Sequence, residues 1–234
     1  MDGFQCARKI PPCKYVDVCC LSTGSTCQLG EGLSKQHFAS LMGIIRTRGT
    51  YEPGERIFKI EDDFLSLFVV QSGIVKIETV SQEGDNLVEG FYFQGNLIGL
   101  EAVGDRKYRY DAVALERTRL CEIPFAQLES LCSFIPRLQH RLLMLMGERI
   151  RQTNDVLLQG RHVCTEKKLL RFFQMLREKG QAERVHLPMS KTDIASYLGV
   201  RPESLSRALY KLKRNGHIQI CPTTKEILLL SKRW

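Results

Sequence analysis

The stretch Met189–Ile220, MSKTDIASYLGVRPESLSRALYKLKRNGHIQI, decides how the last third of this chain folds. Ser190 followed three residues later by Asp193 is a capping box, the signature of a helix N-terminus. Ile194, Ala195 and Leu198 give that helix an inward side, and Gly199 supplies the turn that ends it. Arg201 then precedes Pro202 at the first position of a second helix, where a missing N–H costs nothing. Leu205, Leu209 and Leu212 recur at helical spacing and form the buried side, which leaves Glu203, Ser206, Arg207, Lys211, Lys213 and Arg214 outward. Helix, glycine turn, helix is the helix-turn-helix pattern, whose second helix enters the DNA major groove with its N-terminal residues. Arg207 can hold guanine through O6 and N7, Glu203 can accept from a cytosine amino group, and Ser206 can serve either base type, with the later lysines meeting phosphates. IQICPTTKEILLL reads as two strands around a turn, which would form a wing. The competing reading is a solvated charged helix on an ordinary three-helix bundle.

Charge favours DNA. Residues 161–234 hold 16 Lys and Arg against 6 Asp and Glu, a net +10, whereas residues 1–160 hold 18 against 20, a net −2, so all of the excess behind the net charge of +8 lies in the last third. A compact basic domain is the electrostatic footprint of a nucleic-acid binder. No apolar run reaches the roughly 18 residues of a membrane span, and the N-terminus lacks the apolar stretch of a secretory signal, so a cytoplasmic protein without a membrane partner is expected.

Upstream of the basic third, TEKKLLRFFQMLREKG reads as a helix ending at Gly180, preceded by a long helix in PRLQHRLLMLMGERIRQTNDVLLQG. In the long helix Leu143, Met146, Ile150, Thr153 and Leu157 recur every three or four residues, beside a second stripe of Leu138, Leu142 and Leu145. Two stripes can serve two neighbours, the chain's own core and a second copy of the chain, so the first stripe is the expected dimer seam. The competing reading is a helix buried within its own chain. From about Thr50 to Pro124, short β-rich runs (RIFKI, SLFVV, IVKIETV, VEGFYF, RLCEIPF) alternate with glycine turns, the pattern of an antiparallel sandwich or jelly roll.

Cys6 and the segment Cys13–Cys27, CKYVDVCCLSTGSTC, together hold five of the nine cysteines. In a reducing compartment such clustering argues for metal or redox chemistry rather than disulfides. Cys6, Cys13, Cys20 and Cys27 fall at a constant interval of seven, but Pro11, Pro12 and Gly24 argue against a helix there. Cys132, Cys164 and Cys221 are scattered and read as ordinary core thiols. No nucleophile-base pairing, metal-hydrolase spacing or phosphate-binding glycine loop is present, and the five histidines are dispersed, so an enzyme is not expected.

A β-roll, a long dimer helix and a winged helix-turn-helix, in that order, resemble the Crp/Fnr superfamily of bacterial transcription regulators. GFYFQGNLIGLEAVG, LERTRLCEIPFAQLESL and DIASYLGVRPESLSRAL are similar to segments of its fumarate and nitrate reduction regulator (FNR) branch. The resemblance implies an α+β fold. Residues 1–34 would be a cysteine-rich cluster-binding segment, 35–134 an antiparallel, cyclic-nucleotide-binding-like β-roll, 135–160 the dimerisation helix and 161–234 the winged helix-turn-helix. The branch's E-x-x-S-R motif stands here as Glu203, Ser206 and Arg207, implying a palindrome with TTGAT and ATCAA half-sites read by a homodimer. SQEGD resembles a polymerase-contacting loop of the family, which would favour an activator, with RNA polymerase then a partner, over the competing reading of a repressor.

The oxygen-sensing members hold a [4Fe-4S] cluster on three N-terminal cysteines and one cysteine before E-I-P-F. By that resemblance the ligands here are Cys13, Cys20, Cys27 and Cys121, with Cys19 an alternative to Cys20, and the signal is oxygen or nitric oxide. The spacing departs from the branch's C-x2-C-x5-C, standing here as C-x6-C-x5-C-C-x6-C. The competing readings are a zinc site or incidental free thiols, a cluster-free DNA-binding regulator controlled by thiol oxidation or abundance, and an iron-sulfur or zinc redox protein of another class. Cyclic nucleotide is not expected, because DRKYRYDAVAL lacks the Arg-Ser pair of the cyclic-AMP-binding branch. Thr153 stands where the FNR branch commonly has an acidic residue, and loss of that like-charge repulsion implies a dimer that persists without the cluster.

Overall fold

The computed structural model describes residues 27–159, 163–180, 184–221 and 226–230. A short 3-10 turn, Gln28–Gly30, leads to α1 (Lys35–Ile44), where Ser34 caps the helix by accepting from the His37 N–H at 3.2 Å. The β-roll follows as β1 (Arg46–Tyr51), β2 (Arg56–Phe58), β3 (Ser66–Ser72), β4 (Val75–Val80), β5 (Asn86–Tyr92), β6 (Leu97–Ile98), β7 (Asp111–Ala114) and β8 (Thr118–Pro124). They pair into two antiparallel sheets, ordered β1-β8-β3-β6 and β2-β7-β4-β5.

The residue patterns explain the layers. In β4 the buried Val75 and Ile77 alternate with less buried residues, as a strand with one covered face requires, whereas β3 lies between β8 and β6 and buries Leu67, Phe68, Val69 and Val70 in succession. The turn between β3 and β4 needs Gly73, which sits at φ +88° with the Thr118 side chain and backbone packed where a Cβ would stand. Glu122, buried on β8, is stabilised by a two-pronged bond from Arg48 at 2.8 and 2.9 Å and by the Ser66 hydroxyl at 2.8 Å. Burial would raise its pKa, but these donors outweigh burial and hold the carboxyl below its ordinary value.

Helix α2 (Phe125–Phe134) covers the roll, and α3 (Pro136–Gln159) follows it directly. Leu138 and Leu145 of α3 are buried in the roll's core, with Leu142 packed against it, while Leu143 and Ile150 are 60% and 63% exposed. Next come α4 (Thr165–Gly180), β9 (Arg184–His186), α5 (Lys191–Tyr197), α6 (Pro202–Arg214), β10 (Ile218–Cys221) and β11 (Glu226–Leu229), with the last strands ordered β10-β11-β9.

The second core is shared between the two halves of the molecule. Val88 and Phe91 of β5 pack with Leu169, Phe172, Ile194 and Leu205. The Phe91 ring meets Phe172 at 5.9 Å and Tyr197 at 5.3 Å. Ser196 of α5 accepts from the Val88 N–H at 2.9 Å and donates to the Asn86 carbonyl at 3.0 Å, and Lys76 of β4 binds Asp193 at 2.8 Å and Glu78 at 2.7 Å.

Several elements depart from the sequence expectations. The roll begins at Arg46 rather than near Thr50, because RTRGTY lacks an apolar alternation yet pairs with β8 as an edge strand. Two residues in β6 and three in β9 are too few to carry a period, and their pairing is set by β3 and β11. Cys164, read as a core thiol, is exposed: it stands just ahead of α4, whose inward side begins at Leu169.

Candidate functional site

The helix-turn-helix is built by local chemistry. Ser190 Oγ accepts from the Asp193 N–H at 3.0 Å, and Asp193 accepts from the Ser190 N–H at 3.1 Å, closing the capping box. The turn is closed by bonds from Gly199 N–H to the Ser196 carbonyl and from Val200 N–H to the Ala195 carbonyl, both 3.0 Å, with Gly199 at φ +61°. Lys168 of α4 donates to the Leu198 carbonyl at 3.2 Å and fixes the turn to the rest of the domain.

On α6, Leu205, Ala208, Leu209 and Leu212 are buried and Pro202 occupies the first turn. Glu203, Ser206, Arg207, Lys213 and Arg214 are all exposed, and Arg207 Nε donates to the Glu203 carbonyl at 3.4 Å, so the structure brings the E-x-x-S-R side chains onto one face. Lys211 is also exposed but is drawn sideways to Glu166 of α4 at 3.0 Å. Tyr210, outside the set expected from the sequence, is exposed on the same helix. Its signal was its spacing of three from Arg207, masked by the habit of counting aromatics with the core.

Of the expected cluster ligands, Cys27 and Cys121 lie within the described residues, while Cys13, Cys19 and Cys20 lie outside them. Cys121, on the central strand β8, stands opposite Thr47 and Val69 and is 2% exposed, and Cys27 is 6% exposed. Both belong to one hydrophobic core, together with Leu138 and Leu145 of α3. The residues after Cys27 are tied to that helix: Arg141 donates to the Gln28 carbonyl at 2.7 Å and pairs with Glu31, and Arg137 donates to the Gly32 carbonyl at 3.2 Å. Among the described residues no group of three or more His, Cys, Asp or Glu side chains converges to hold a metal ion.

A cavity of about 690 Å³ opens between β5, α3 and the start of the helix-turn-helix half, lined by Glu89, Tyr92, Glu148, Arg149, Gln152 and Tyr197 among others. Among the described residues its one cation is Arg149, which forms an ion pair with Glu89 and lies 5.0 Å over the Tyr92 ring. Burial would lower the Arg149 pKa, but the neighbouring Tyr92 and Glu89 outweigh it and raise the value. Of the expected seam residues, Thr153 donates to the Arg149 carbonyl at 3.1 Å and is exposed, Met146 is half-buried, and the Leu157 side chain lies outside those described.

Residues 48–133 match the cyclic nucleotide-binding domain family, and residues 167–232 match the Crp-like helix-turn-helix domain family. The fumarate and nitrate reduction regulatory protein of Escherichia coli K12 is 31% identical over 193 residues, 80% of this chain and 77% of that protein. The chain belongs to the Crp/Fnr family. The regulatory protein HlyX of Actinobacillus pleuropneumoniae is 30% identical over 80% of each chain. FixK2 from Bradyrhizobium japonicum shares the fold, with a TM-score of 0.74 and 22% identity over 80% of this chain and 93% of that one.

As a Crp/Fnr protein the chain is a DNA-binding transcription regulator and not an enzyme. No helix among the described residues is long and apolar enough to cross a membrane. The donor chemistry of the two described thiols fits the iron-sulfur cluster of the FNR branch, since soft sulfur ligands in water-poor surroundings suit iron.

Proposed function

We propose that this Crp/Fnr protein is an FNR-type regulator in the cytoplasm, a homodimer reading a TTGAT/ATCAA palindrome and sensing oxygen or nitric oxide through a [4Fe-4S] cluster. Cys13, Cys20, Cys27 and Cys121 would hold the cluster, with Cys19 able to replace Cys20, and the cluster would supply an oxidisable iron-sulfide centre. The observation that carries this reading is the burial of Cys27 and Cys121 in the same core as the first half of α3. Arg141 and Arg137 couple the Cys27 segment to that helix, so the positions of a ligand loop and of the dimer helix are mechanically linked. The exposed stripe of Leu143 and Ile150 is the seam, which spaces two α6 helices for a palindrome.

A cyclic nucleotide fits the cavity poorly. Glu89 already neutralises Arg149, and Glu148 adds a second carboxylate, so the described lining residues offer a phosphate no unpaired positive charge.

The test is iron and acid-labile sulfide per chain on protein purified without oxygen, with the visible spectrum taken before and after air. About four of each and absorbance that bleaches support the reading. Colourless protein that still binds the palindrome removes oxygen sensing and leaves a regulator controlled by thiol oxidation or abundance. Brown protein with no affinity for the palindrome points to an iron-sulfur redox protein instead.

A further inference from the structure

Tyr210 is 66% exposed, while every other apolar residue of α6 between Leu205 and Leu212 is buried. At about 100° per residue, Tyr210 falls within about 60° of Glu203, Ser206 and Arg207, one turn further along the helix and in the middle of their face. Lys211 and Lys213 lie to either side of it. A flanking position on a groove-bound helix reaches the groove walls, where the phosphates are. A central position faces the floor, where the base edges are.

We propose that Tyr210 is a specificity-determining residue whose ring packs on the C5 methyl of a thymine in each half-site. This rests on the reading of α6 as the helix that enters the major groove. Tyr210 stands about 4.5 Å further along the axis than Arg207, close to one base-pair step of about 3.4 Å, so the thymine belongs to a base pair beside the one Arg207 holds. Apolar contact with the thymine methyl reads sequence without a hydrogen bond, and the two surfaces leave water together. The ring is already exposed in the free protein, so substituting it leaves the buried side of α6 intact.

The experiment measures binding of the full-length protein to duplexes carrying the TTGAT/ATCAA palindrome. Each thymine in turn is replaced in both half-sites by uracil, which lacks only the methyl. At one thymine position the replacement weakens the native protein about four-fold per half-site, on the order of fifteen-fold for the palindrome. Tyr210→Phe keeps both the affinity and this discrimination, whereas Tyr210→Ala loses both and becomes indifferent to uracil there. Equal sensitivity of native protein and Tyr210→Ala at every thymine overturns the proposal. So does a loss in Tyr210→Phe as large as in Tyr210→Ala, which would assign the phenol to a phosphate. If the native protein does not prefer the palindrome to random duplex, the palindrome itself is wrong and this proposal falls with it.

Discussion

Helices α3 and α6 are each buried along one side and bare along the other, but their bare sides differ in chemistry. On α3 the exposed side carries Leu143, Met144 and Ile150, all 47% exposed or more. On α6 it carries Glu203, Ser206, Arg207, Lys213 and Arg214 around a single aromatic ring. Apolar surface left to water is satisfied by more apolar surface, and a second copy offers the same stripe in register. A mixed polar and cationic face has no such use for itself and is satisfied by phosphates and base edges.

The largest expected effect separates the inward from the outward side of α3. Leu145→Ala opens the roll's core and should cost about 2–5 kcal/mol of folding stability, read by denaturant unfolding, with association unchanged once folded. Ile150→Asp should leave unfolding nearly unaltered and convert the dimer to monomer in sedimentation, because two carboxylates would then face each other across the seam. A dimer that survives Ile150→Asp places the partner elsewhere. On the proposed reading, with Thr153 in the seam, protein without a cluster should stay dimeric, and a clean monomer at micromolar concentration would overturn that expectation.

Arg207→Ala should cost about 1–3 kcal/mol at a single base pair while leaving the salt dependence of binding largely intact. Lys213→Ala should instead weaken binding on all sequences alike and lower the salt slope by about one. If the two substitutions behave alike, α6 binds DNA by charge only.

A smaller effect concerns what holds α5, the helix ahead of α6, against the roll. Burial would lower the Lys76 pKa, but its bonds to Asp193 and Glu78 outweigh it and raise the value. Burial would likewise raise Asp193, but the bonds from Lys76 and Ser190 hold its carboxyl below the ordinary aspartate value. A depressed folded pKa means the contact contributes fully above the ordinary value of about 3.9 and is lost as pH falls through the depressed one. The protection factor of the Val88 amide, whose N–H is bonded to Ser196, should therefore fall in acid before those of the roll's central strands, and Lys76→Met should mimic the effect near neutrality. Unchanged protection of Val88 in that variant would show that apolar contacts alone hold the junction.

The sequence by itself determined the helix-turn-helix, because a capping box, a glycine at positive φ and a proline in the first turn are local instructions that need no distant partner. It equally determined the two-stripe pattern of α3, since helical periodicity is a property of the segment alone. Only the tertiary structure decided which stripe faces the roll, that RTRGTY is an edge strand of β8, and that Cys164 is exposed. It also brought Cys27 and Cys121, 94 positions apart, into one core, turned Lys211 toward Glu166, and joined Lys76 to Asp193 across the two halves. Each of these depends on contacts between distant segments, whose register no local pattern encodes.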